Sequence, residues 1–242
     1  MASALVVIPT FNEQANIARM IHAVLNLPEQ FDLLIIDDNS PDGTAKEVAD
    51  LKQQYPNRLF LHERAGKLGL GTAYIHGFKW ALENKYEFII EMDADFSHDP
   101  NDLPRLVEAC KSNADVVVGS RYVKDGKVVN WPADRIILSK GASLYVRLIT
   151  WIPVKDTTAG FVCYKRKVLE SIDLDAIRFI GYAFQIELKY AAWKCGFKIV
   201  EIPIIFKDRE AGISKMSKGI FKEAVLGVLK MKWKSMFTTY RK

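Results

Sequence analysis

The sequence predicts an α/β protein: a parallel β-sheet with helices packed on both of its faces. In the first half of the chain, short continuous apolar runs alternate with amphipathic stretches of helical period. Strands that are apolar at every residue are buried on both faces, as in a parallel sheet covered by helices. The composition agrees: 49% hydrophobic and 26% charged residues over 242 positions supply a full core and give no reason to expect disorder.

The first run, ALVVIP at 4–9, precedes a helix over 13–25, with Ile17, Met20, Ile21 and Val24 on one face. FDLLIID at 31–37 precedes a helix over 44–54, and RLFLHE at 58–63 precedes one over 69–84. EFIIEM at 87–92 precedes a helix over 102–112, after which ADVVVG at 114–119 reads as the fifth strand. The second half is less regular. Residues 120–135 read as a polar loop, 135–148 as a helix, and DTTAGFVCYKR as a turn leading into a short strand. A helix follows over 185–194, then KIVEIPIIF at 198–206 as a strand whose Pro203 points to a sheet edge or to an irregular part of the strand. No repeat, low-complexity tract or linker interrupts the chain. The expected organisation is a catalytic domain over 1–215 and a basic amphipathic helix over 216–242.

Ligands of such a sheet bind beyond the carboxyl ends of its strands, which gives three acidic segments their meaning. PTFNE follows the first strand, DDNSPDGT the second and DADFSHDP the fourth, so all three are expected on one rim, with Glu91, Asp93 and Asp95 among its acids. Asp93 and Asp95 form an Asp-x-Asp pair whose hard oxygens suit Mg2+ or Mn2+, ions that also bind substrate phosphates. Strand alternation would point both carboxylates the same way. Such a pair alone is common by chance, and acids at strand ends also cap helices, a role that suits Asp99 and Asp102 better. Within DDNSPDGT, Asp42 and Thr44 suit a capping turn. Carboxylates there also suit hydrogen bonds from a nucleobase or ribose, and a second acid cluster on the same rim favours that reading.

GKLGLGTA at 66–73 lacks the GK[ST] of a phosphate loop and departs from GxGxxG. It reads as a glycine-permitted turn into a helix, with Lys67 near a ligand. Arg121 in GSRY, Arg135 in NWPADR, and Arg209 with Lys215 in FKDREAGISK recur at loop positions, and together they could complement phosphates. His98 either lines the acid cluster or belongs to its turn, while His22, His62 and His76 read as residues of helix or strand faces.

Several classes are disfavoured. No Ser-His-Asp or Cys-His arrangement suggests itself, and nothing resembles a nucleic-acid module. Cys110, Cys163 and Cys195 lack CxxC spacing and read as buried thiols in a reducing compartment. MASALVVIPT has no basic n-region of a signal peptide, and no run approaches the ~18 apolar residues of a membrane span. The net charge of +5 is uneven: residues 212–242 hold eight basic residues and one acid, Glu223, so they carry +7 and the remainder −2. A basic end on a near-neutral body points to an anionic surface. The tail places apolar residues at 220, 221, 224, 225, 228, 229, 233, 236 and 237 among Lys218, Lys222, Lys230, Lys232 and Lys234. It either docks on the core or lies in a membrane interface with Trp233 at headgroup depth. The expected location is cytoplasmic, peripheral on the cytoplasmic face of a membrane.

Taken in order, PTFNE, DDNSPDGT, KLGLGTA, MDADFSH, GSRY and F-x-x-R-x-x-G-x-SK resemble the family 2 glycosyltransferases of GT-A fold. The likeness is strongest to dolichyl- and polyprenyl-phosphate mannose synthases and spans about 6–218. It implies a Rossmann-like, mostly parallel sheet. It also implies inverting transfer of mannose from GDP-mannose to a polyprenyl or dolichyl phosphate, the alternative being a UDP-sugar donor or another acceptor. By the same resemblance Pro9, Thr10, Asn12, Glu13, Asp38 and Asp42 would hold the guanosine or its ribose, and Lys67, Ala94, Arg209 and Lys215 would also meet the nucleotide sugar. Asp93 and Asp95 would share Mg2+ or Mn2+ with the diphosphate, Ser97 standing where many members carry a metal-binding glutamine. Arg121, Arg135, Arg209 and Lys215 would meet the donor and lipid phosphates, with Asp95, Arg121 and Arg135 catalytic.

Two departures matter. Ala183 stands where some relatives have lysine, and the Q-x-x-R-W motif of polysaccharide-making members is absent, which argues against processive synthesis. Without a membrane helix in the sequence, membrane contact falls to the basic tail or to a separate membrane subunit. The acids after two strands also resemble those of phospho-acceptor receiver domains, but the lysine such a domain needs is missing after ADVVVG.

Overall fold

The computed structural model describes residues 2–181, 183–208 and 218–242. The first half forms as its periodicity predicts. Strands β1 (Ala4–Thr10), β2 (Phe31–Asp37), β3 (Leu59–Glu63), β4 (Phe88–Glu91) and β5 (Val116–Ser120) alternate with helices α1 (Gln14–Leu25), α2 (Thr44–Leu51), α3 (Leu70–Glu83) and α4 (Leu103–Asn113). The second half adds β6 (Lys127–Val129), α5 (Ala133–Thr150), β7 (Val162–Lys165), α6 (Arg166–Ser171) and α7 (Phe184–Lys194). β8 (Ile199–Pro203), β9 (Ile205–Lys207) and α8 (Lys218–Lys234) complete it.

Seven strands form the main sheet in the order β3-β2-β1-β4-β7-β5-β8, all parallel except β7, which runs against both β4 and β5. Strand alternation divides the buried side chains between two cores. Leu5, Val7, Leu34, Ile36 and Ile89 face α3 and α7 on one side. Val6, Ile8, Leu33, Ile35 and Ile90 face α1 and α4 on the other. Gly77 lets α3 lie directly on β1, because a Cβ there would stand 2.5 Å from Val7 Cγ1.

Several sequence expectations are corrected. Residues 120–135 contain β6, which pairs in parallel with β9. KIVEIPIIF is two strands rather than one. β8 is the edge of the main sheet and ends at Pro203, so both readings of that proline hold, and after Ile204 the chain crosses to the small sheet. The short strand after DTTAG proves to be a central, reversed strand. Of the three thiols, Cys110 and Cys163 are buried but Cys195 is only partly so.

The largest correction concerns Glu91. It pairs with Val7 in the middle of β1 and with Val162 in β7, so it lies inside the sheet and not on the rim with Asp93 and Asp95. β4 simply ends three residues short of the level of Thr10. Residues 92–97 leave the strand as an irregular turn, with Met92 N still donating to the Val7 carbonyl at 3.3 Å.

Candidate active site

β1 and β2 run in register to their ends, Thr10 beside Asp37, and the turns that follow are bonded together. Thr10 Oγ1 donates to Asp37 Oδ2 at 2.8 Å, and Ser40 donates its hydroxyl and amide to the same carboxylate at 2.6 and 2.8 Å. Asn12 N reaches Ser40 Oγ, and Glu13 N reaches Thr44 Oγ1, both at 3.0 Å. Asp42 accepts from Gln14 N through Oδ2 and from Thr44, amide and hydroxyl, through Oδ1. Burial pulls this carboxyl upward, but those hydrogen bonds outweigh it and hold Asp42 below the usual carboxylate range. Asn12 and Asn39 adopt φ of 58° and 57°, a left-handed turn geometry that asparagine tolerates better than most residues. Pro9, Thr10, Asn12, Glu13, Asp38 and Asp42 are thus gathered into one double turn at the carboxyl end of the sheet.

Asp38 brings in a residue that the sequence reading missed. Its Oδ1 accepts from Arg64 Nε at 2.6 Å, and both side chains are buried. Arg64 also donates to Thr72 Oγ1 at 2.8 Å and to the Gly69 carbonyl at 3.2 Å, so it ties the DD turn to GKLGLGTA. A signal was available: Arg64 is the first residue past β3, just as Asp38 is the first past β2. Gly69 has φ +103°, and a Cβ there would lie 2.9 Å from the Ile180 carbonyl, so glycine is required. Lys67 places its ammonium 4.7 Å from the centroid of the Phe11 ring, above the first turn.

The acidic pair sits on the turn that follows β4. Tyr74 OH donates to the Met92 carbonyl at 3.3 Å, Ser97 N donates to Asp95 Oδ1 at 3.0 Å, and Lys207 N donates to the Ser97 carbonyl at 3.2 Å. Ala94, Asp95 and Ser97 are buried, and Asp93 is partly exposed. The nearby His98 is buried, its ring stacked on Phe161 at 4.9 Å. Burial lowers its pKa to about 4, with Asp95 pulling the other way. Its ring also meets Phe206 edge-on at 5.3 Å, so it packs as part of the turn.

Arg121 proves to be buried, with its fork on Asp156. Nε and Nη2 donate to the two carboxylate oxygens at 2.7 and 2.6 Å, the Arg121 amide adds a third bond at 2.9 Å, and Nη2 also reaches Thr158 Oγ1 at 2.9 Å. Burial opposes the charge on Arg121, but Asp156 reverses that and raises its pKa. Asp156 is the second residue the sequence reading passed over, since DTTAGF read only as a turn. Arg135, near the start of α5, lies over Trp131 at 3.7 Å and donates to Asp208 at 3.2 Å. Arg209 and Lys215 lie outside the described residues. Ala183 is buried just before α7.

Beneath the acidic turn, Glu91 faces Lys189, Gln185 and Tyr164. Burial pushes the Glu91 carboxyl up to about 8, and Lys189 partly offsets it. Burial likewise lowers Lys189 to about 8 against the attraction of Glu91.

The donor chemistry of the turn fits a hard cation. Asp93 and Asp95 supply carboxylate oxygens and Ser97 a hydroxyl. Among the described residues no group of three or more His, Cys, Asp or Glu side chains is gathered to hold an ion. Two carboxylates and a hydroxyl are hard oxygen donors, the kind that Mg2+ takes together with water and substrate phosphate.

A doubly wound sheet with one reversed strand, and an acidic pair on the turn past its central parallel strand, is the architecture of the GT-A glycosyltransferases. The chain belongs to glycosyl transferase family 2, whose profile matches residues 5–173. It is 45% identical over 224 residues to the polyprenol monophosphomannose synthase of Mycolicibacterium smegmatis, covering 93% of this chain and 84% of that one. It is equally identical, over the same length, to the undecaprenyl-phosphate mannosyltransferase of Micrococcus luteus, covering 91% of that protein. The dolichol-phosphate mannosyltransferase of Pyrococcus furiosus is 35% identical over 94% of this chain and 63% of its own. Among solved structures, glucosyl-3-phosphoglycerate synthase of Mycobacterium tuberculosis with Mn2+, UDP and glucosyl-3-phosphoglycerate matches with a TM-score of 0.68. That match covers 95% of this chain and 79% of the other at 17% identity, a likeness of fold.

Proposed function

We propose that this enzyme transfers mannose from GDP-mannose to a polyprenyl phosphate, with inversion at the anomeric carbon. The observation that carries the reading is the 45% identity, over 93% of the chain, to two proteins named for mannosyl transfer to prenyl phosphates. The bonded turns after β1 and β2 suit the nucleoside, and Asp93, Asp95 and Ser97 suit Mg2+ or Mn2+ carried with the diphosphate. A divalent ion held there supplies charge neutralisation to the departing diphosphate.

A phosphate acceptor needs no general base. Its oxygen is already anionic at neutral pH, so the harder task is bringing a third phosphate up to two others. Like unit charges 4 Å apart repel by about 4 kcal/mol at an effective dielectric of about 20. Arg135, Arg209, Lys215 and Lys67 are the cations proposed to offset this, with the guanidinium of Arg121 adding positive potential from behind its ion pair. In-line attack by the lipid phosphate on the anomeric carbon then gives inversion and releases GDP.

The test is label transfer from GDP-[14C]mannose to a short polyprenyl phosphate in detergent. Label is expected in the lipid phase with Mg2+ or Mn2+ and not with excess EDTA. Transfer from UDP-glucose and not from GDP-mannose would overturn the donor assignment.

A lipid acceptor also requires access to a membrane. Among the described residues no helix is long and apolar enough to cross one. Supporting a peripheral attachment, α8 buries Val228 and Met231 but exposes Trp233 (66%) and Phe237 follows it exposed, while Trp151 (74%) directly follows neighbouring α5. Lys232 lies 4.6 Å over the Trp151 ring, so cationic and aromatic groups are interleaved there. The protein is expected to sediment with vesicles containing phosphatidylserine and to be released by salt, each basic residue contributing about 1 kcal/mol. Replacing Trp233 and Phe237 together with Glu is expected to weaken that binding about tenfold or more. Unchanged sedimentation of this variant would exclude the tail as the attachment.

A further inference from the structure

Lys189 is fully buried in the middle of α7, where an apolar side chain would fill a core position at lower cost. Its Nζ donates to the Ala159 carbonyl at 2.6 Å. Its principal charge partner is Glu91, the last residue of β4, two residues before Asp93. Gln185, one turn earlier on α7, also faces Glu91. The ammonium is therefore bonded to the loop 156–160 and attracted by the carboxylate on the strand that delivers the acidic pair.

That loop is the opposite wall of the site. A Cβ on Gly160 would stand 3.6 Å from Gln185 Nε2 and 4.0 Å from Asp93 Oδ2, so Gly160 faces the first carboxylate of the pair directly. The start of the loop is independently clamped. Arg121 grips Asp156, and Glu201 accepts from the amides of Lys155 and Asp156 at 2.7 and 2.9 Å. Arg121 reaches as far as Thr158 Oγ1 at 2.9 Å, and the Lys189 bond holds the next residue, Ala159, beside Gly160.

We propose that Lys189 is a positioning residue that sets the gap between Asp93 and the 156–160 loop, and so shapes the subsite for the donor's sugar and diphosphate. The inference rests on the glycosyl-transfer reading of the site. It differs from a purely structural role in what it predicts once stability is restored. Lys189→Met leaves Glu91 buried without its cation and is expected to lower thermal stability. The double variant Glu91→Gln with Lys189→Met removes both charges, and buried ion pairs are often replaceable by neutral groups without loss of stability. The anchor on Ala159 is still missing in that variant.

The experiment compares the full-length parent, the double variant and Gly160→Ala by thermal melting, hydrogen–deuterium exchange and transfer kinetics. The double variant is expected to melt near the parent. Its amides over 156–160 should exchange about tenfold faster, and kcat should fall about 10–100-fold, as for a displaced reacting group. Gly160→Ala meets only ordinary contacts, so it should melt like the parent while raising KM for the sugar nucleotide through the narrowed gap. A double variant with parental loop exchange, or with parental kcat and KM, overturns the proposal. Should the double variant fail to fold, parental kinetics in Gly160→Ala would overturn it instead. If the parent transfers no mannose, the functional reading fails, and the exchange of 156–160 alone decides the role of Lys189.

Discussion

Asp95→Ala is expected to lower mannosyl transfer by about 10³-fold while the protein remains folded, the loss that follows removal of a principal electrostatic stabiliser of a departing anion. Asp95 is buried and accepts a hydrogen bond from the Ser97 amide two residues away. Losing such a bond costs about 1–2 kcal/mol, far less than the effect on a reaction that must expel a diphosphate. Asp95→Asn keeps an oxygen for Ser97 and removes the charge, so it separates the two duties. It should melt like the parent and still be about as slow as the Ala variant if the charge holds the cation. Initial rates across a Mn2+ titration, beside a circular-dichroism melt, make the measurement. A near-parental rate in either variant would exclude Asp95 as the cation ligand.

Asp156→Asn should produce the largest loss of stability. The Asp156 carboxylate is fully buried and receives three hydrogen bonds from Arg121. Asparagine preserves the shape but leaves a buried guanidinium without its counter-charge, a change that costs about 3–5 kcal/mol. For a chain of this size that corresponds to a fall in the melting midpoint of about 10 °C. Transfer should also decline, because the same pair holds the loop facing Asp93. Urea titration of both proteins gives the difference directly. An unchanged midpoint would mean that the Arg121 charge is balanced by something other than Asp156.

These two acids differ in how visible they are in the sequence. Asp95 belongs to a short motif at a strand end, and the rule that ligands bind beyond the carboxyl ends of parallel strands is enough to bring it forward. Asp156 belongs to no motif. Its partner is 35 residues away, and nothing in the local pattern of DTTAGF distinguishes a buried counter-ion from a polar turn. Arg64 was passed over for the same reason, although its place just past β3 matched that of Asp38 past β2. Glu91 shows the opposite error. Spacing grouped it with Asp93 and Asp95, but the register of β4 against Val7 draws it into the sheet.

The sequence by itself determined the helix-covered sheet, the rim on which three acidic segments meet, and the family. The sheet and the rim follow from signals confined to a few neighbouring residues: hydrophobic period, turn chemistry and strand-end position; the family follows from the resemblance of six motifs taken in order along the chain. Only the tertiary structure decided that β7 runs backwards through the middle of the sheet, that 127–129 pairs with 205–207, and which charged groups spend their charge on one another. Arg121 and Asp156, Arg64 and Asp38, and Lys189 and Glu91 are long-range partners. Burial makes an unpaired charge costly, and which charges burial brings together depends on how distant segments pack.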